Sequence, residues 1–430
     1  MIRQNFNADW TVEKGDGNSR MNSFLGNTQT KTVHLPYDAM IHEARTPDTK
    51  NGAQTGFYPG GEYIFQKHFP APQAWQGKPV SLVFEGVYQT ALVYLNGWLL
   101  TRNVNGYAEF TVEAGPYLKY GADNLLKVIA DNSLEPNSRW YTGSGIYRPV
   151  RLLVGNKVYL PQDTVRITTR EADEGFALLD VTAQVQSAST VTERVTLQQT
   201  ICREGTAVLT DRQNLLLQPG ESRTVSFRYC VDSPALWSPE NPNLYTSTMQ
   251  VLEGEEELDR EETGFGIRTL SIDAAHGVRI NGQTVKLRGA CIHHDNGILG
   301  AATLPDAEER RIRQLKEAGF NAIRSSHHPA GRALLDACDR YGVLVMDELS
   351  DVWNVRKNPY DYALYFEQDW KPTIQKMVAK DYNHPSVILY CVGNEISEAG
   401  SESGAETNRR LCNTFRELDP TRYTTNALNG

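Results

Sequence analysis

The stretch VILYCVGNEISEAG, Val387 to Gly400, decides the class of fold. It opens with an unbroken apolar run and then changes abruptly to an amide, Asn394, and a carboxylate, Glu395. A continuous apolar run of this length is typical of a strand that is buried on both faces, as in a parallel sheet. Polar residues at the end of such a strand indicate a rigid edge at which functional side chains are presented.

The sequence around this strand alternates short apolar runs with helical segments, which is the pattern of βαβ units. The predicted strands are KLRGACI, NAIRSS, VLVMDE, VILYCVGNE and YTTNAL, and the predicted helices are DAEERRIRQLKEAGF, GRALLDACDRYG, a segment near Trp370 to Lys380 and a segment near Glu406 to Leu418. An open doubly wound sheet would also fit five strands, but no glycine-rich phosphate loop follows the first strand. We therefore predict the first half of a (β/α)8 barrel over residues 272–430.

The first part of the chain has the different pattern of antiparallel β-structure. Residues 61–154 consist of short alternating runs separated by turn residues. Within them, Asn96 and Gly97 predict a type I′ hairpin because both residues tolerate positive φ angles. Residues 159–270 repeat the alternation at spacings typical of a β-sandwich. We predict two β-domains, 1–157 and 158–271, before the barrel.

The composition argues against several classes of partner. The formal net charge is −9 and Lys and Arg are not clustered, so we expect neither nucleic acid nor an anionic membrane as a partner. No stretch reaches the roughly 18 consecutive apolar residues of a membrane-spanning helix, and the N-terminus has no apolar segment typical of signal peptides. The six cysteines are scattered singly, which argues against disulfides and structural zinc. We expect a cytoplasmic protein.

Polar residues follow four successive predicted strands of the barrel. Because the active site of such barrels lies at the carboxyl ends of the strands, these side chains are expected to meet at one mouth. They are His293, His294, Arg324, His327, His328, Asp347, Glu348, Asn394 and Glu395. The set fits either a hydrolase that binds a polyol or a metal centre. Adjacent side chains on a strand point to opposite faces, so one histidine of each pair faces the centre, and this disfavours a metal.

Four segments of the barrel region, LRGACIHHD, GFNAIRSSHHP, CDRYGVLVMDE and NHPSVILYCVGNE, resemble in order and spacing the barrel of glycoside hydrolase family 2, the β-galactosidases and β-glucuronidases. RWYTGSGIYRPV resembles the end of that family's sugar-binding jelly roll, and PALWSPENPNLYT resembles its immunoglobulin-like domain. The resemblance covers nearly the whole chain. It implies a multidomain β plus α/β protein: a jelly-roll β-sandwich over 1–157, an immunoglobulin-like β-sandwich over 158–271, and the first half of a TIM barrel over 272–430.

The resemblance also implies a retaining mechanism on β-linked sugars. In that mechanism one carboxylic acid protonates the leaving oxygen, and a second carboxylate about 5 to 5.5 Å away attacks the anomeric carbon. Glu395 matches the general acid/base, and Asn394 matches the amide that binds the sugar 2-hydroxyl. The rim of a rigid barrel would hold Glu395 better than a loop, and partial burial there would keep it protonated.

Further residues match family positions near the sugar. The substrate-binding candidates are His293, His327, Arg324, Trp353 and Asn137. Arg139 and Trp140 are further candidates, because they lie with Asn137 in the part of the first domain that extends towards the pocket. Neutral imidazoles offer both a donor and an acceptor to hydroxyl groups, and we expect His294 and His328 to be structural. Arg324 matches the arginine that orients the nucleophile, with an ion pair to Asp347 or Glu348 as the alternative. Trp353 and Tyr360 are candidates for stacking on a sugar.

The family places its nucleophile on the seventh barrel strand, and this sequence ends near the fifth, so we expect a chain truncated within the barrel. Some β-galactosidases of the family bind magnesium through an acid four residues beyond the DE pair, where this chain has Val352, and we assign no metal or cofactor. The expected substrate is a small-molecule or oligosaccharide β-glycoside, and the expected enzyme is a β-galactosidase. A β-glucuronidase and an inactive carbohydrate-binding fragment are the alternatives. A homo-oligomer is compatible with the sequence.

Overall fold

The computed structural model describes residues 1–15 and 30–428, and its first part is a sandwich of two antiparallel sheets. The strands are β1 Ile2–Asn5, β2 Trp10–Gly15, β3 Lys31–Val33, β4 Gly61–Ala71, β5 Val80–Phe84, β6 Thr90–Leu95, β7 Trp98–Asn103, β8 Phe110–Glu113, β9 Ala122–Asn132 and β10 Val150–Val154. One sheet has the order β1-β10-β5-β8 and the other β3-β2-β4-β9-β6-β7. Alternate residues of the strands turn into a shared core that includes Trp10, Phe65 and Leu82.

The hairpin predicted from Asn96 and Gly97 joins β6 to β7. The two residues have φ angles of 52° and 90°, as a type I′ turn requires. The Asn96 side chain also fixes the turn, because its Oδ1 accepts the Leu125 amide at 3.1 Å. This part of the sheet therefore follows directly from local sequence.

The second part is a separate sandwich with its own core. Its strands are β11 Val158–Tyr159, β12 Arg166–Ala172, β13 Phe176–Ser187, β14 Glu193–Arg203, β15 Thr206–Leu217, β16 Ser222–Asp232, β17 Tyr245–Glu253 and β18 Glu256–Phe265. β13 pairs with β11, β12 and β16, and the second sheet has the order β15-β14-β17-β18. Apolar residues such as Leu179, Leu197 and Met249 fill the space between the sheets.

The third part begins with a small antiparallel sheet and continues as five parallel strands. The elements are β19 Leu270–Asp273, β20 Gly277–Ile280, β21 Gln283–Thr284, β22 Gly289–Ile292, α1 Pro305–Glu317, β23 Ala322–Ser325, α2 Arg332–Tyr341, β24 Leu344–Glu348, α3 Phe366–Asp381, β25 Val387–Asn394, α4 Glu402–Leu418 and β26 Tyr423–Ala427. β22 to β26 pair in consecutive order, and one helix separates each strand from the next. Consecutive parallel order is the order of a (β/α)8 barrel.

Local signals explain where these helices begin and end. Pro305 occupies the first helical position of α1, and Asp306 follows it in the first turn, where a negative charge is favourable. α2 ends at Gly342, whose φ of 66° suits glycine. α4 begins after Ser401, whose hydroxyl accepts the Gly404 amide at 3.0 Å.

The two β-domains contact opposite ends of the parallel sheet. Arg268 of the second domain donates to the carbonyl oxygens of Pro385 (2.6 Å) and Val387 (2.8 Å), at the amino end of β25. Arg148 of the first domain donates to the carbonyl oxygen of Pro329 (3.0 Å), beyond the carboxyl end of β23. The first domain therefore lies beside the edge at which barrel enzymes carry their active sites.

The predicted fold class is confirmed: two β-sandwiches precede a partial TIM barrel. The domain boundaries at residues 157 and 271 stay predictions. No helix in the described part of the chain combines the length and the apolar character needed to cross a membrane.

Candidate active site

Side chains from four consecutive strands meet at the carboxyl edge of the parallel sheet. His293 follows β22, His327 lies just beyond β23, Glu348 ends β24, and Asn394 ends β25 with Glu395 directly after it. Parallel strands end at a common edge, so residues far apart in sequence converge there. The predicted convergence is present for these residues, but it is wrong for Asp347, which is buried and pairs with Lys380 at 3.6 Å.

Hydrogen bonds connect three of these strands. Arg324 Nη2 donates to Glu348 Oε1 at 2.7 Å and to Asn394 Oδ1 at 2.9 Å. The Glu348 side chain is fully buried, and its Oε2 lies 3.2 Å from His327 Nδ1. Burial alone would lower the pKa of Arg324, but the hydrogen bond and charge of Glu348 raise that pKa above its ordinary value. Of the two contacts that the sequence suggests for Arg324, the structure thus shows the ion pair with Glu348.

Asp351, in the segment after β24, is the centre of a second group of charges. Its Oδ1 accepts hydrogen bonds from Asn394 Nδ2 (2.8 Å) and Lys357 Nζ (3.0 Å). Lys357 Nζ also donates to the backbone carbonyl of Asn394 at 2.7 Å. Burial alone would raise the pKa of Asp351, but hydrogen bonds from Arg139 and Asn394 and the charge of Lys357 hold that pKa below its ordinary value. Asn394 is therefore held on both sides, by Arg324 and by Asp351.

Arg139 connects the first domain to Glu395. Its Nη1 lies 3.1 Å from Glu395 Oε2, while Nε and Nη2 donate to Asp351 at 3.0 and 2.6 Å. The Glu395 amide donates to the Ala427 carbonyl at 2.7 Å, and the residue has a φ of 46°. A positive φ is uncommon outside glycine and is found preferentially at functional sites. The Glu395 side chain is 44% exposed, so its carboxylate is accessible in the described part of the chain.

The two histidine pairs divide between the site and the interior. His293 and His327 are partly exposed, their ring centroids are 5.5 Å apart, and Trp140 lies 5.0 and 5.6 Å from them. His294 and His328 are buried, and loss of solvent lowers the pKa of His294 to about 3 and the pKa of His328 well below its ordinary value. Burial and the neighbouring His327 also lower the pKa of His293. A neutral His293 can both donate and accept a hydrogen bond.

Two of the predicted sugar contacts lie elsewhere. Trp353 is 1% exposed within the hydrophobic core, and its Nε1 donates to a backbone carbonyl of β25 at 2.9 Å. The prediction that Trp353 stacks on a sugar is therefore wrong, because no face of the ring is accessible. Asn137 is 4% exposed, and its Nδ2 donates to Asn132 Oδ1 (2.7 Å) and the Leu134 carbonyl (2.6 Å). The amide hydrogens of Asn137 are thus used inside the first domain.

A cavity of about 50 Å³ lies between the first domain and the barrel. Its lining is aromatic and polar and includes Tyr88, Tyr107, Asn137, Trp140, His327 and Asp351. It shows that the first domain forms one wall beside the candidate site.

One group of described side chains has the spacing of a metal site. The possible ligand atoms of Asp336, Asp339 and His384 lie within 4.8 Å of one another. His384 Nδ1 is 2.6 Å from Asp339 Oδ2, and Asp339 Oδ1 accepts the Ser386 amide at 3.0 Å. These bonds already satisfy Asp339, and the group belongs to the helical side of the barrel rather than to the carboxyl edge. We assign no metal to it.

Two residues of the site, Asp351 and Lys357, were not predicted as catalytic or substrate-binding, and the contact of the candidate Arg139 with Glu395 was not predicted either. Asp351 is the last residue of the polar segment DELSD, which begins at the end of β24, so the sequence does indicate a polar residue at this position. No local pattern distinguishes Lys357 from other surface lysines. Arg139 contacts Glu395 across 256 positions of sequence, a separation that no motif spacing expresses.

Comparison with known proteins gives the same architecture. Three family models match the chain: the glycosyl hydrolase 2 galactose-binding domain-like model over residues 10–176, the glycosyl hydrolases family 2 model over 158–268, and the glycosyl hydrolases family 2 TIM barrel model over 274–429. A β-galactosidase from Bacteroides ovatus is 37% identical over 406 residues, which are 94% of this chain and 48% of that protein. A putative β-glucuronidase from Formosa agariphila is 31% identical, covering 99% of this chain and 40% of that protein.

Solved structures agree with this assignment. A glycosyl hydrolase family 2 member from Bacteroides cellulosilyticus superposes with a TM-score of 0.96 at 36% identity, over 100% of this chain and 56% of that one. A β-glucuronidase from Bacteroides uniformis superposes with a TM-score of 0.85 at 27% identity, over 99% and 52% respectively. The chain thus spans about half the length of the curated relatives it matches. The matched models, the relatives and the fold together show that the chain belongs to glycosyl hydrolases family 2.

Proposed function

We propose that the whole protein is a retaining β-galactosidase that removes a terminal β-linked sugar, with Glu395 as general acid/base. The observation that carries the proposal is the position of Glu395, directly after the fully buried strand β25 and next to Asn394. A proton donor at the end of a packed strand is held in a fixed direction, as proton transfer to a leaving oxygen requires. The substrate would be a small-molecule or oligosaccharide β-glycoside.

In the proposed reaction, the protonated Glu395 gives its proton to the leaving oxygen while a second carboxylate attacks the anomeric carbon. Glu395 then takes a proton from the water that releases the sugar. The neighbouring carboxylates do not suit the nucleophile. The Glu348 side chain is fully buried and the Asp351 side chain is 10% exposed, so neither carboxylate is accessible to an anomeric carbon. We therefore infer that the nucleophile comes from a part of the barrel outside these five strands.

Asn394, His293 and His327 are proposed to bind sugar hydroxyls. Asn394 uses one Nδ2 hydrogen on Asp351 and one Oδ1 lone pair on Arg324, and an amide has one more of each. His293 and His327 are the partly exposed members of their pairs, and their rings lie side by side at the same edge of the sheet. Donor and acceptor groups together match the chemistry of a polyol.

Galactose is favoured over a sugar acid for two reasons. The relative from Bacteroides ovatus is named a β-galactosidase. In addition, the cations described at this edge are paired: Arg324 with Glu348, and Arg139 and Lys357 with Asp351. A sugar carboxylate would need an unpaired cation. The β-glucuronidase alternative is supported by the relatives from Formosa agariphila and Bacteroides uniformis that have that name.

A third candidate, from a different class, is carbohydrate binding without cleavage. It is supported by the ion pairs that Asp351 and Glu348 make with Arg139 and Arg324. Neither carboxylate of this network is then free to act together with Glu395. Equilibrium binding of galactosides combined with no turnover in the whole protein would favour this candidate.

The test uses the whole protein and aryl β-galactosides and β-glucuronides with matched aglycones. We expect turnover of the galactosides, and we expect Glu395→Gln to lose most activity on poor leaving groups while it retains more on activated ones, because these need less acid assistance. Glu417→Gln, an exposed glutamate on α4, is the matched control and should leave the rates unchanged. Turnover of glucuronides alone would establish the alternative, and equal rates for Glu395→Gln and the unmodified protein on every substrate would disprove the acid/base role.

A further inference from the structure

We propose that Arg139, which the first domain contributes, is a positioning residue that holds the Glu395 carboxylate in one direction. The inference rests on the proposed role of Glu395. Arg139 Nη1 lies 3.1 Å from Glu395 Oε2, and no other hydrogen bond to the Glu395 side chain is made by the described residues. The orientation of the acid is therefore set by a domain that is separate from the barrel.

Arg139 is itself held firmly enough to position another group. Its Nε and Nη2 donate to the two oxygens of Asp351 at 3.0 and 2.6 Å, the two-point geometry that fixes the plane of a guanidinium. Asp351 is held in turn by Lys357 and Asn394. The remaining nitrogen of the planar guanidinium, Nη1, then points to Glu395. Because the two hydrogen bonds to Asp351 fix the plane, they also fix the direction of the contact with Glu395.

The charges around Glu395 nearly balance. Among the described residues, Arg139, Asp351 and Lys357 are the charged groups that face it, and Glu398 accepts two backbone amides of the segment after β24 instead. Arg139 and Lys357 contribute two positive charges, whereas Asp351 contributes one negative charge. The group is therefore neutral only when Glu395 is ionised, and it has one positive charge when Glu395 is protonated.

A fixed direction serves both halves of the proposed reaction. Glu395 gives its proton to the leaving oxygen in the first step and takes a proton from water at the same place in the second. Arg139 holds the carboxylate through Oε2, which leaves Oε1 for the proton transfer.

The experiment compares the Glu395 carboxyl signal by carbon NMR at one fixed pH in the whole protein, with glutamate labelled at Cδ and the signal assigned by its loss in Glu395→Gln. Arg139→Gln removes the charge, and Arg139→Lys retains it without the two-point geometry. Arg102→Gln is the matched control, because Arg102 is another first-domain arginine that reaches the barrel, at the Tyr365 hydroxyl (3.2 Å).

We expect Arg139→Gln to move the Glu395 Cδ signal, because the carboxylate loses the hydrogen bond and the charge of Arg139. Arg139→Lys should move it by less, and Arg102→Gln should not move it. An unchanged signal in Arg139→Gln would overturn the inference whether or not the protein hydrolyses any glycoside. Conversely, a shifted signal in a protein that cleaves no β-glycoside would uphold the contact and reject only the proposed function.

Discussion

The ion pair between Arg324 and Glu348 allows a quantitative prediction. The Glu348 side chain is fully buried and the Arg324 side chain is 18% exposed, with 2.7 Å between Nη2 and Oε1. Arg324→Met would leave the Glu348 carboxylate in the interior with His327, at 3.2 Å, as its one hydrogen-bond partner among the described residues. Removing one member of a buried pair costs about 3–5 kcal/mol because the remaining charge is uncompensated. We expect the lower end, about 3 kcal/mol, since part of the arginine is solvated.

The assay is urea unfolding followed by far-UV circular dichroism, to which the described α-helices contribute from the barrel region alone. With a slope of about 2 kcal/mol/M, a loss of about 3 kcal/mol lowers the midpoint by roughly 1.5 M. Arg340→Met is the matched control, because Arg340 pairs with Glu309 at 2.8 Å on the exposed surface of the same region. An exposed pair contributes about 0–1 kcal/mol, so the control should shift the midpoint by less than 0.5 M.

A double variant separates the charge effect from lost packing. Arg324→Met combined with Glu348→Leu leaves no buried charge, and it should be more stable than Arg324→Met alone. If Arg324→Met shifts the midpoint no more than Arg340→Met does, the reasoning from burial is refuted.

Three further predictions concern stability. Gly342→Ala should lower the melting temperature, because the residue has a φ of 66° and an added Cβ would lie 2.3 Å from the Pro239 carbonyl oxygen; an unchanged melting temperature contradicts this. Burial alone would lower the pKa of His384, but the charge and hydrogen bond of Asp339 raise it, so this stabilisation is complete below the unfolded pKa of about 6.5 and is lost as pH rises through the folded pKa. His384→Asn should remove that pH dependence from the unfolding free energy, which persistence of the same slope would disprove. Asp38→Ala removes the acceptor of four hydrogen bonds, one of them from the barrel, and should speed limited proteolysis between the first domain and the barrel; an unchanged cleavage rate would argue against this anchor.

The barrel strands could be predicted from sequence because each is short, apolar and bounded by turn residues. The predicted strand from Val387 to Glu395 differs from β25 by its last residue, where the backbone turns to a positive φ. Helix starts were less accurate: α3 begins at Phe366 and α4 at Glu402, each four residues earlier than predicted. The start of α4 depends on the cap by Ser401, whereas α3 has no side-chain cap hydrogen bond, and the hydrophobic period expresses neither start.

The candidate site was predictable where it depends on strand ends and not where it depends on contacts between domains. Alternation along a strand predicts that the two histidines of each pair differ, and the family resemblance selects His293 and His327; His294 and His328 are buried in the structure. Trp353 shows the limit, since an aromatic residue near a strand end packs equally well into a core or against a ligand. Arg139 shows another, because only the docking of two domains brings it to Glu395.

The role of Glu395 is tested most directly by chemical rescue in the whole protein. Glu395→Ala should hydrolyse an activated aryl β-galactoside slowly, because no base assists the water that releases the sugar. Added azide needs no base and attacks the same face, so it should raise the rate and yield the β-galactosyl azide. An unchanged rate with azide, or an azide product of inverted configuration, would contradict the assignment of Glu395 as the acid/base of a retaining glycosidase.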